Sequence, residues 1–91
     1  MPPSDPDAPA ARFDGGDLDC GNGLLLLIRR HIDPLEAGEV LEVRSREPSV
    51  ADDLPAWARL TGNALLSATL DGDGTRYRLR KAPSRTRNAE P

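Results

Sequence analysis

The residues best suited to chemistry lie in Asp17-Leu18-Asp19-Cys20-Gly21-Asn22-Gly23, immediately before the apolar run Leu24 to Ile28, and Cys20 is the single cysteine of the chain. A cysteine attacks as its thiolate, and the unpaired amides and partial positive charge of a helix N-terminus lower a thiol's pKa. A cysteine leading into a helix therefore suits a nucleophilic thiol. The backbone amides of Gly21, Asn22 and Gly23, which lead into that helix, can approach an anion closely. Asp17 and Asp19 act in the opposite sense, because nearby negative charge disfavours a second anion. Glycine also loosens the loop, at about 0.5–1 kcal/mol per residue relative to Ala. The competing reading of Cys20 is a small buried hydrophobe, a common role for free cysteine. The residues alone leave both open.

The remaining chemical candidates thin out quickly. One cysteine allows neither an internal disulfide nor a thiolate metal cluster, so a reducing compartment fits and neither a metal nor a cofactor is expected. GNGLLLL lacks the length and the Lys-Ser/Thr of a phosphate loop. His31 stands alone, away from metal-ligand spacing, and reads as a surface or packing residue. The formal net charge is −3, with Asp5, Asp7, Asp14, Asp17 and Asp19 crowding the first half and Arg76, Arg78, Arg80, Lys81, Arg85 and Arg87 the end. Nucleic acid is not an expected partner of such a chain, which also lacks the exposed aromatics that stack on bases. The apolar run of five residues falls far short of the roughly 20 that a membrane span requires. With no basic segment ahead of it, a cytoplasmic protein without membrane contact is expected.

The elements that must position Cys20 follow from periodicity. Of 91 residues, 1–10 and 83–91 are rich in Pro, Ala and charged residues and are expected to be disordered tails, leaving one domain over 11–82. Its aromatics are Phe13, Trp57 and Tyr77, so the core should be thin and aliphatic. Arg12-Phe13-Asp14 reads as a short strand closed by Gly15-Gly16. The apolar set Leu25, Ile28, Ile32 and Leu35 has helical spacing, with Arg29, Arg30 and Asp33 on the other side, and Pro34 and Gly38 close that helix. EVLEVRSR alternates as a half-buried strand, Leu41 and Val43 on one side and Glu42, Arg44 and Arg46 on the other. In EPSVADDLPAWARLTGN, Ser49 and Asp52 resemble a capping box, Asp53 is a second cap candidate, and Val50, Leu54, Trp57 and Ala58 share a face. Pro55 predicts an irregular first turn there, with regular helix from about Asp53 or Leu54. Asp71-Gly72-Asp73-Gly74 between two alternating runs signals a hairpin, with Tyr77 and Leu79 inward and Arg76, Arg78 and Arg80 outward, where cross-strand pairing with Glu42 is expected. The order is βαβαββ, and two helices over one face of a four-stranded sheet cover these faces economically.

This pattern resembles the TusA/SirA-like sulfurtransferase family, whose signature is a short strand ending in Leu-Asp, a Gly-Leu-x-Cys-Pro-x-Pro turn and a helix. FDGGDLDCGNG is the matching stretch, with Cys20 at the family cysteine and Gly21 and Gly23 at the two proline positions. LEAGEVLEVRS is similar to the family's second strand, EPSVADDLPAWARLTGNALL to its second helix, and TRYRLRK to its closing strand. The chain departs from the family at Asp17, where Gly is usual, and at Ala58 and Asn63-Ala64, often Cys and His-Glu. The resemblance implies an α/β two-layer sandwich with a mixed sheet in order 1-2-4-3, strand 4 antiparallel to the others. It further implies a sulfur carrier that relays a persulfide on Cys20, with Gly21, Asn22 and Gly23 offering amides and Arg29 or Arg30 helping a partner dock. The partners would be a sulfur donor protein, such as a cysteine desulfurase or a rhodanese-like protein, and a downstream acceptor protein. The alternative is a non-catalytic module of the same fold that serves in protein interaction or regulation.

Overall fold

A computed structural model describes residues 8–83. The expected tails fall almost wholly outside the described residues. The elements are β1 (Pro9–Gly16), a 3₁₀ turn over Cys20–Asn22, α1 (Leu24–Ile32), β2 (Val40–Ser45), α2 (Val50–Thr61), β3 (Ala64–Asp71) and β4 (Gly74–Arg80). β1 begins at Pro9, two residues inside the expected tail, because Pro9 finds a partner in Val40 of β2. A strand read only from Arg12 to Asp14 was too short, since pairing rather than alternation sets its length.

The sheet order is β1-β2-β4-β3, with β1 and β2 parallel and β4 antiparallel to both β2 and β3. Leu41 and Val43 of β2 and Tyr77 and Leu79 of β4 point to one face. There they meet Leu24, Ile28 and Ile32 of α1 and Val50, Leu54 and Ala58 of α2. Both helices thus cover the same side, the two-layer sandwich expected from the order of elements. Trp57 lies at the rim of this core, half-buried, rather than in its centre.

Local expectations change at β2 and at the start of α2. β2 is not half-buried: Glu42 on its outer face is 7% exposed, because β2 is interior to the sheet and Arg78 of the neighbouring strand lays its guanidinium on that carboxylate at 3.1 Å. The expected cross-strand pairing of the arginine row thereby takes a definite form. α2 starts at Val50, earlier than expected, and runs through Pro55, with full burial of Val50 holding its start. The irregularity is confined to the entry, where the Val50, Ala51 and Asp52 N–H groups donate to the Glu47, Pro48 and Ser49 carbonyls three residues back. No side-chain cap bond forms at Ser49. Its backbone N–H instead donates to Glu47 Oε2 at 2.9 Å, and Asp53 sits inside the first turn rather than capping it.

α1 is pinned to β1 by a stack of Phe13 on His31, ring centroids 4.2 Å apart. His31 Nδ1 is also 2.8 Å from the Leu27 carbonyl oxygen. Of the surface and packing roles that its isolation left open, His31 takes the packing one.

Candidate functional site

Residues 15–24 form the loop that carries Cys20, and its shape is fixed from both ends. Gly15 is held so close to α1 that a Cβ there would lie 2.6 Å from Leu24 Cδ1. The Arg46 backbone N–H donates to the Gly16 carbonyl at 2.8 Å, and the Arg46 side chain grips Asp17 with two hydrogen bonds, both 3.1 Å. The Leu18 N–H donates to the Gly15 carbonyl and the Leu24 N–H to the Asp19 carbonyl, each at 3.1 Å, which closes the loop over Cys20. Gly23 then turns the chain into α1 at φ 108°, a conformation open to glycine and not to proline.

Cys20 therefore sits one 3₁₀ turn ahead of α1 rather than in its first turn. Its side chain is half-buried and packs against the core cluster. Burial pushes its thiol above the ordinary value, and the carboxylates of Asp53, Asp19 and Glu47 push in the same direction. The expected lowering by the helix terminus is thus outweighed, because charge loses stabilisation on leaving water and three negative neighbours oppose another. Asp17, expected among those neighbours, is turned to Arg46, which holds its carboxyl below the usual range. Glu47 stays ionised, its carboxyl held low by hydrogen bonds from Ser49. Tyr77, 3% exposed, approaches from β4. Burial raises its phenol, a hydrogen bond with Thr75 opposes that, and the nearby Cys20 and Asp52 add to the rise.

The structure groups Cys20, Gly21, Asn22 and Gly23 in one turn and sets Arg29 and Arg30 apart, in the last turn of α1. At 1.5 Å of rise per residue, Arg29 lies about 7–8 Å along the axis from Leu24. Arg29 pairs with Asp33 at 3.8 Å. It also lines a groove of about 850 Å³ with Trp57 and Lys81 at the far end of the helices, away from the thiol. Among the described residues, no group of three or more His, Cys, Asp or Glu side chains is placed to hold a metal ion.

Asp53, Glu47 and Tyr77 were not singled out around Cys20 by their positions in the chain. A signal for the first two did exist in the element order. Helices that follow parallel neighbouring strands start at the same end of the sheet, so the N-terminus of α2 must lie near that of α1. The acidic Glu47 and Asp52-Asp53 come with it.

The comparisons with known proteins converge on one family. A family model described as Sulfurtransferase TusA matches residues 23–81, beginning just after Cys20. The chain is 32% identical over 73 residues to the sulfur carrier protein TusA of Pseudomonas putida (strain GB-1), covering 80% of this chain and 90% of that protein. It is 38% identical over 53 residues to YrkF of Bacillus subtilis (strain 168), named as a putative sulfur carrier protein. That match takes in 58% of this chain but spans only 29% of YrkF.

Proposed function

The chain belongs to the TusA sulfurtransferase family, and from that premise we propose that it relays sulfane sulfur as a persulfide on Cys20. The observation that carries the reading is the place of Cys20: a half-buried thiol in a braced loop between β1 and α1. In the first step the Cys20 thiol gives up its proton and the thiolate attacks the terminal sulfur of a donor's persulfide. A new S–S bond forms at Cys20, the donor's S–S bond breaks, and its electron pair leaves on the donor thiolate. In the second step a nucleophile on the acceptor takes that terminal sulfur and returns Cys20 as thiolate. Oxidation states balance without an added oxidant or cofactor.

The partners in this reading are a donor of the cysteine desulfurase or rhodanese-like kind and an acceptor protein. Gly21, Asn22 and Gly23 present backbone to the incoming persulfide, and Arg29 and Arg30 form part of the docking face on α1. Burial and then Asp53, Asp19 and Glu47 raise the thiol, so a donor that opens the loop to water or neutralises these carboxylates on docking eases ionisation of Cys20. That same raised thiol favours the second reading, a module that binds partners and has given up the relay.

Intact-mass spectrometry separates the two. Incubation with a cysteine desulfurase and cysteine, or with thiosulfate and a rhodanese, should add one sulfur that reductant removes, and Cys20→Ser should gain none. No gain from either donor, with slow alkylation of Cys20, would leave the binding module.

A further inference from the structure

The two edges of the sheet are built differently. β1 starts on a proline, carries Arg12 and Asp14, and shifts register between Pro9 and Ala11 and again between Asp14 and Gly16. Proline, charge and irregular register are the devices by which an edge strand discourages a further strand. β3 reads ALLSATLD, with no proline and no charge before Asp71. Its one register shift lies between Leu65 and Ser67, which leaves Ser67 to Asp71 regularly paired to β4. Its outer side has no neighbouring strand among the described residues. Ser67, Ala68, Thr69 and Leu70 are all exposed, Leu70 at 84%.

We propose that β3 pairs antiparallel with β3 of a second copy of this chain, joining two four-stranded sheets into one of eight strands. The sequence of the strand complements itself about Ala68. A two-fold axis there sets Ser67 opposite Thr69 and Leu66 opposite Leu70. Asp71, turned to Arg44 and Arg76 on the face away from the helices, lies beyond this stretch, so no like charges oppose one another. Ser67 and Thr69 share the face of Arg78 and Arg76, so their hydroxyls meet there. Leu70 lies on the face of Thr75 and Tyr77, where it lines a cleft of about 250 Å³ with Ala51. Its exposed side chain gains an apolar partner in Leu66 of the second copy. Ser67 to Leu70 offer no charge, so a strongly acidic or basic partner strand gains nothing from this edge, whereas an identical strand gains backbone hydrogen bonds and two leucine pairs. The contact is isologous and closes at two copies. A single added strand pair sits at the small end of interfaces, below about 1,200 Å², so the dimer should be weak and concentration-dependent.

Cross-linking reads the register directly. Directly opposed residues of an antiparallel pair have Cα atoms about 4.5–5.5 Å apart, within the range a disulfide bridges. In a Cys20→Ser background, Ala68→Cys should form a disulfide dimer under diamide. Thr69→Cys, whose own copy lies about two residues further along, should cross-link roughly tenfold less. Absence of cross-linking at Ala68, or equal yields at the two positions, overturns the pairing. Because both residues are exposed, neither change touches the core, and circular dichroism checks the fold. Independently, sedimentation of the wild-type chain from about 10 µM to 1 mM should show its mass rising above the 9.8 kDa monomer, while Leu70→Lys stays monomeric. A wild-type chain that remains monomeric, or a Leu70→Lys variant that dimerises as well, defeats the proposal.

Discussion

At the scale of single residues, the thiol of Cys20 is governed by burial first and by Asp53, Asp19 and Glu47 next. Its rate of alkylation should therefore climb with pH through a value above that of a free cysteine. Asp53→Asn and Glu47→Gln should each move this profile to lower pH and speed alkylation near neutrality. An unchanged profile in both would remove the electrostatic account. The same shift has a stability counterpart. Because the folded state favours the protonated thiol, its contribution is complete below the ordinary thiol pKa and is lost as pH rises through the folded value. On the alkaline side the wild-type chain should lose stability faster than Cys20→Ser, as urea midpoints would report. Asp19 was legible beside Cys20 in the chain. Asp53 and Glu47 were not, since only the juxtaposed helix starts bring them near.

At the scale of elements, the loop and α1 depend on two glycines. Gly23 holds φ 108° with no atom crowding its missing Cβ. The cost of a side chain there is conformational, about 1–3 kcal/mol for Gly23→Ala. Gly23→Pro, which restores the family's residue, should cost more, because proline fixes φ near −65°. Urea unfolding gives both figures, and a Gly23→Pro chain as stable as wild type would show that this turn can take the family's geometry. Gly15→Ala meets Leu24 Cδ1 at 2.6 Å instead, so its penalty is steric and should be partly relieved by Leu24→Val. The helical spacing of Ile28 and Ile32 and the alternation of Tyr77 and Leu79 were legible because each face has its own period. The start of α2 was not, since the burial of Val50 overrode the local signal of Pro55.

At the scale of the whole molecule, the helix-bearing face of the sheet is aliphatic and the other face is an ionic lattice. Arg44 on β2 reaches Asp14 on β1 at 3.6 Å, Asp71 on β3 at 3.2 Å and Asp73 in the hairpin at 2.9 Å. One side chain thus ties elements from both edges of the sheet. Leu54, fully buried, should cost about 2–5 kcal/mol on change to Ala. Arg78→Ala should cost roughly 1–3 kcal/mol by leaving the Glu42 carboxylate buried without that partner. The double change Arg78→Ala with Glu42→Leu should recover part of the loss, and the full penalty persisting there would count against the ion pair as its source.

The sequence by itself determined the order of elements, the faces of α1 and β4, and the family. Those rest on local periodicity and on spacing along the chain, which survive without knowledge of contacts. It also marked Cys20 as the residue to watch. The tertiary structure alone decided that burial and three carboxylates raise this thiol, that Asp17 belongs to Arg46, and that Arg29 and Arg30 stand at the far end of α1. Each of these depends on which side chains meet across the fold, and distance in space is not written in the order of residues.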